Sequence, residues 1–301
     1  MRKAAALVFA AALTAAASPL DFGRAEFNRA VAERKLNPAS FRIVTEYSMV
    51  LPEEGFQISG AIIRGGSLRG LMYGLLEAAA QIRSRGALQP VKGQPKFPVR
   101  GIRRIMTDED WARPESEWLD QFTELARFRF NRFHLMFESE PLTPERIEAL
   151  KTISEAARKR AVELVVGLAD PTAGDVMHLL AECDSVRSIH VDAGTAAYVS
   201  GAVSEAGRYV VLETTSAVKT AVPVPLRVAV EPGQPPPACD APCSVYTVFA
   251  DGAPPPAHLP GAGFELLGDP GEAWMTLGYT VARVAVPARR APARKAPVRK
   301  K

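Results

Sequence analysis

The sequence predicts an α/β fold in two parts, a small α/β N-terminal domain followed by a compact, shortened (β/α)8-like barrel that lacks some outer helices. Three observations predict it. Helical and strand-like periods alternate along the chain after Pro98. Eight strand-like segments can be counted from there to residue 286. The connections between the later strands are Pro-rich and too short for a full helix, as in GQPPPACDAPC and DGAPPPAHLPGAG.

The elements follow in order. Residues 21–36 have a mixed amphipathic pattern, with Phe27 and Val31 on the inward side. Strands are expected at 41–50 and 55–63, joined by the turn Leu51-Pro52-Glu53-Glu54-Gly55. A helix then starts near Ser67. Its stripe of Leu71, Leu75, Ala79 and Ile82 recurs at helical spacing, and Gly86 ends it. Residues 21–97 form the first domain and 98–286 the barrel. Barrel strands are expected at 99–106, 131–137, 163–167, 188–192, 209–213, 225–230, 244–249 and 263–267. Helices are expected at 117–128, 145–160 and 175–183, with a closing helix over 272–284. The span 98–286 falls short of the ~250 residues typical of such barrels, so loops are short and at least two outer helices are missing.

The ends of the chain read differently from its middle. Arg2 and Lys3 precede the uncharged, Ala-rich run 4–17, and small residues follow at Ala17-Ser18, so residues 1–18 read as a secretory signal peptide and the protein as secreted or periplasmic. No later segment has the length and hydropathy of a transmembrane span. Residues 287–301 hold seven Arg and Lys and no acid. Removing those seven charges takes the formal total from +4 to −3. The base therefore lies in a tail, which reads as disordered and able to meet an anionic envelope surface. A folded domain that is net acidic argues against a specific nucleic-acid partner. Cys239 and Cys243 stand four apart and can form a local disulfide in an oxidising compartment, whereas Cys183 lies on an apolar helix face.

The pieces LPEEGFQISG, RGGSLRGLMYGLLEAAAQIR, FPVRGIR and LARFRFNRFHLMF occur in this order within residues 41–137. Together they resemble the non-catalytic α/β domain and first barrel strands of family 20 β-hexosaminidases and the related family 67 α-glucuronidases. Arg69, Gly70, Tyr73 and Gly74 match the family's Arg-Gly…Tyr-Gly signature. Arg100-Gly101 matches its first barrel strand, and Asn131 with His134 its second. The resemblance implies a carbohydrate partner and a glycoside-hydrolase-like activity. The family carries an adjacent Asp-Glu pair after the fourth barrel strand, and here Asp192 is followed by Ala193. That departure points to weak or lost hydrolysis, and hence to a non-enzymatic glycan-binding or envelope-surface protein. An active exo-glycosidase would instead use strand-end carboxylates, Asp192 with Glu138 or Glu213.

Residue by residue, the catalytic candidates are Asp192 and Glu213, both at strand ends, where barrel enzymes place their chemistry. Asp192 also reads, more readily, as the N-cap of the following helix. The substrate-binding candidates are His134, Glu138, Asp108 and Trp111. An acidic loop beside a Trp can stack on a sugar face and bind its hydroxyls, or it can be a solvated loop at the barrel rim. His134 between Phe133 and Leu135 can bind sugar hydroxyls or be a satisfied buried histidine. No phosphate loop, nucleophile elbow, zinc-protease helix or dinucleotide fingerprint occurs, so no cofactor is expected. The four histidines have no metal-ligand spacing along the sequence, so no metal is expected either.

Overall fold

The computed structural model of the chain describes residues 18–137, 142–239, 242–259, 261–268 and 270–284. Residues 1–17 of the signal-peptide-like segment, Glu138 and the basic tail 287–301 lie outside the described residues.

The first layer is helical. Helix α1 (Pro19–Glu33) is capped by Ser18, and α2 (Leu68–Arg85) by Ser67. The two pack together over a mixed sheet, sealing Phe22, Phe27, Leu71 and Leu75 against Phe56, Ile58 and Ile63. The sheet has the order β1 (Val44–Tyr47), β3 (Ile62–Gly65), β2 (Phe56–Ser59), β4 (Val91–Pro95), β13 (Tyr279–Arg283). Two glycines of the signature explain the close packing of α2. A Cβ at Gly70 would lie 2.5 Å from the Gly55 carbonyl oxygen, and one at Gly74 2.5 Å from Ile63.

The second layer is a closed, all-parallel barrel of eight strands: β5 (Val99–Ile105), β6 (Arg132–Met136), β7 (Glu163–Gly167), β8 (Val186–His190), β9 (Val211–Thr214), β10 (Leu226–Val230), β11 (Cys243–Phe249) and β12 (Gly263–Leu267), with β12 paired back to β5. Helices α3 (Asp108–Trp111) and α4 (Glu115–Arg127) follow β5; α5 (Pro144–Arg158), α6 (Ala173–Glu182) and α7 (Ala193–Glu205) follow the next three strands. The β9–β10, β10–β11 and β11–β12 connections contain no helix among the described residues. The outward faces of the strands and the inner faces of the helices form the main core, which includes Trp118, Phe122, Phe133, Leu150, Val166, Ile189 and Leu212.

The structure corrects several sequence expectations. The segment 55–63 is not one strand but begins a hairpin, because Gly60 turns the chain with φ +62°. Residues 91–95 form a sheet strand rather than a connector. The expected closing helix ends at Leu277. Beyond it the chain extends as β13 and pairs antiparallel with β4, returning to the N-terminal sheet. A β-branched residue and an aromatic favour that choice, with Tyr279 buried against Phe56 and Tyr73. Cys239 and Cys243 are disulfide-bonded, and Cys183 is free and buried.

Candidate functional site in the barrel interior

Along a strand alternate residues face opposite sides, and in this barrel the outward side is covered by helices. The apolar residues take that covered side. The inward side carries charge. Arg132 of β6 stands at its centre. Its guanidinium grips Glu213 of β9 with two nitrogens, Nη1 donating at 2.6 Å, while Nε donates to Glu265 of β12. It also lies over the ring of Tyr246 of β11, 5.0 Å from the centroid. Arg103 of β5 donates to Glu265 and to the Tyr246 hydroxyl, each at 2.9 Å. Arg227 of β10 donates to Glu213 at 2.9 Å and to Glu163 of β7 at 3.3 Å. Ser188 of β8 donates to Glu163 at 2.7 Å, and the Tyr246 hydroxyl to Glu213 at 3.1 Å.

Arg103, Arg132 and Arg227 thus face Glu163, Glu213 and Glu265, and the charges cancel. Such pairing is what allows ions to stay in a desolvated interior. Burial pushes Glu213 toward the neutral acid. The guanidiniums of Arg132 and Arg227 outweigh that and hold its pKa down at about 2. Glu265 is likewise held well below the usual carboxylate range, burial being overcome by Arg132, His134 and Arg103.

Two histidines sit beside this network. His134 Nδ1 is 3.1 Å from Glu265, and the ring lies 4.9 Å, centroid to centroid, from that of His190. Burial lowers the pKa of both despite Glu265, and that of His190 falls to about 3 with His134 and Arg103 nearby. Both rings are therefore neutral at physiological pH. His134, His190 and Glu213 bring one ligand-capable atom each within 4.8 Å of the others. The sequence reading overlooked this grouping because the residues come from β6, β8 and β9. Strand adjacency in a barrel produces no fixed spacing along the chain. The alternation Arg132-Phe133-His134-Leu135 was the available signal, since it marks a strand whose polar side is enclosed.

The remaining site candidates lie elsewhere. Asp192 is exposed at the start of α7, where its carboxylate accepts from the backbone of Gly194 and Thr195 and from the Thr195 hydroxyl. Asp108 is exposed at the first turn of α3, and Asp110, two residues on, is the buried member of that turn, closing a capping box with Thr107. Trp111 is half-buried 5.0 Å from Phe137, with Arg146 over its ring at 5.3 Å. It borders a groove of about 510 Å³ between α4 and α5, together with Arg113, Glu115, Glu145, Glu148 and Thr152. Glu213 and His134 are brought together inside the barrel. Asp192, Asp108 and Trp111 are not part of that cluster.

The residues that carry the family resemblance converge on a different point, the seam between sheet and barrel. The Glu54 carboxylate accepts from Arg69 at 2.7 Å, from Asn131 at 2.7 Å and from Arg100. The Tyr73 hydroxyl reaches the Phe130 carbonyl, and the Tyr279 hydroxyl donates to the Glu54 backbone carbonyl at 2.5 Å.

No protein-family model and no curated protein matches the chain. Solved structures do match it, glycoside hydrolases among them. A GH138 enzyme targeting pectin rhamnogalacturonan II aligns with a TM-score of 0.55 at 12% identity, over 71% of this chain and 37% of that one. A GH20 exo-β-N-acetylglucosaminidase from Vibrio harveyi, in complex with N-acetylglucosamine, aligns with a TM-score of 0.50 at 9% identity, over 73% of this chain and 56% of that one. The chain has a glycoside-hydrolase-like TIM-barrel fold joined to a mixed-sheet domain, and it spans between a third and three-fifths of the length of these two enzymes.

Proposed function

We propose that this chain is an exported glycoside-hydrolase-like protein of carbohydrate metabolism that binds glycan and has weak or lost hydrolase activity. The observation that carries the reading is the state of Glu213 and Glu265, both fully buried and both closed on Arg132. Glycoside hydrolysis uses a carboxylic acid that gives up a proton, together with a carboxylate that faces the bond or with assistance from the substrate itself. A carboxyl group held at about 2 carries no proton to donate near neutral pH, and one enclosed by guanidiniums meets no sugar. Asp192 spends both oxygens on its helix cap and has Ala193 beside it.

The groove at Trp111 supplies the chemistry for glycan binding, an aromatic side chain beside charged and hydroxyl hydrogen-bonding groups. The Cys239–Cys243 bond is consistent with an oxidising, extracytoplasmic location. The basic residues 287–301 serve in this reading as an attachment to anionic envelope polymers.

A glycan array run beside a panel of chromogenic aryl glycosides, including N-acetylglucosaminides, tests the proposal. The expected result is glycan retention with aryl-glycoside turnover at background. Turnover comparable to ordinary glycosidases overturns it.

A further inference from the structure

The geometry points to a transition-metal site inside the barrel, built from His134 of β6, His190 of β8 and Glu213 of β9, which goes beyond the glycan reading and does not depend on it. The ligand-capable atoms of the three lie within 4.8 Å of one another, and all three residues are buried. Two of those side chains are incomplete without a guest. His134 Nε2 and His190 Nδ1 are buried nitrogens with no hydrogen-bond partner among the described residues. Buried polar atoms left in that state are uncommon and costly.

The groups around the two rings fit as well. His134 presents Nδ1 to the ionised Glu265, so the proton sits on Nδ1 and the lone pair on Nε2. A carboxylate behind an imidazole is the arrangement that orients metal-ligating histidines. A Cβ at Gly167, on the neighbouring strand β7, would lie 2.4 Å from Met136 Sδ and 3.2 Å from His134 Nε2, so only glycine fits beside that nitrogen. His190 retains 4% exposure, which gives the pair its edge toward solvent.

The donor set selects the ion. Two imidazoles and one carboxylate suit zinc, copper or nickel. Magnesium and calcium need several oxygens, and the balanced Arg and Glu charges provide no net field to hold them. All four acceptor directions of Glu213 are taken, by two nitrogens of Arg132, by Arg227 and by the Tyr246 hydroxyl. Coordination therefore displaces one donor. Tyr246 is the one that can leave, because it is the neutral donor of the four and the guanidinium bonds are charge-assisted and stronger.

The test is a calorimetric titration of the metal-stripped full chain with zinc sulfate at neutral pH, with magnesium chloride as control. One zinc per chain is expected, with no magnesium uptake. The same stoichiometry is expected in the His178→Asn/His258→Asn double variant, which removes the other imidazoles, and none in His190→Phe. Tyr246→Phe removes the competing hydrogen bond and is expected to bind zinc more tightly than the parent chain. Failure of the parent chain to bind, retention of the site in His190→Phe, or weaker binding in Tyr246→Phe overturns the assignment. If His190→Phe does not fold, imidazole nitrogen resonances of the unaltered chain decide. Those of His134 and His190 must both shift with zinc, and unshifted resonances overturn the site.

Discussion

The side-chain amide of Asn131 donates to the Glu54 carboxylate at 2.7 Å across 77 residues of chain, and this bond joins the first barrel strand pair to the turn before β2. The same amide donates to the Pro98 carbonyl, and its oxygen accepts from the Arg100 backbone. Burial penalises the Glu54 carboxylate, yet Arg100, Arg69 and Asn131 together lower its pKa. Removing it leaves the buried Arg100 with backbone carbonyls but no counter-charge. Glu54→Ala is therefore expected to destabilise by roughly 3–5 kcal/mol. Denaturant midpoints of the purified variant check this.

The two helix stripes predict ordinary core costs. Leu75 on α2 and Trp118 on α4 are each 1% exposed, one in each core. Alanine at either position is expected to cost about 3 kcal/mol. Chemical denaturation followed by tryptophan fluorescence for Leu75→Ala, and by circular dichroism for Trp118→Ala, measures both.

Asp192 separates a cap from a catalyst. Asp192→Ala is expected to lose about 1 kcal/mol of stability, the usual value of an N-cap. Glycan retention and the background rate on aryl glycosides should stay unchanged. Thermal unfolding and the array, run on the same preparation, read the two quantities apart. Trp111→Ala should show the opposite pattern, with glycan retention falling.

Acid should weaken the fold in two stages. His134 and His190 have folded-state pKa values below the ordinary 6.5, so the unfolded chain binds more protons as pH falls below that value. Their contribution is present above about 6.5 and is lost as pH falls toward about 3, where His190 protonates in the fold. Glu213 is depressed from 4.5 to about 2, so its contribution is present above 4.5 and is lost as pH falls toward 2. Urea midpoints should be level above neutrality, decline from pH 6.5 and decline more steeply below 4.5. A midpoint that stays level down to pH 4.5 contradicts the histidine placement.

Much of the fold was legible because the barrel strands are covered outside by helices. Strands 163–167 and 263–267 match their expected ranges in full, and the stripes of α2, α4 and α5 follow the helical period. Strand β4 was illegible because Val91-Lys92-Gly93-Gln94-Pro95 has little apolar content and takes its order from partners on either side. β13 was hidden for a similar reason, since its partner lies far away in sequence. The site was read less well than the fold. Glu213 and His134 stood out on their strands, but nothing in the sequence singled out Arg132, Arg227 or Glu265. A charged side chain on a strand reports its partner only once the opposite wall of the barrel is closed.

The last strand carries a consequence for biosynthesis. Because β13 completes the sheet that β1–β4 begin, translation must run through the whole barrel before that sheet has its fifth strand. Until then β4 presents an unpaired edge, and Tyr279 is missing from its place between Phe56 and Tyr73. A ribosome that stalls within the barrel therefore leaves a nascent chain with a sticky β4, open to the β13 of a neighbouring molecule. The two parts are fastened together only after all eight barrel strands have been made and β13 reaches β4.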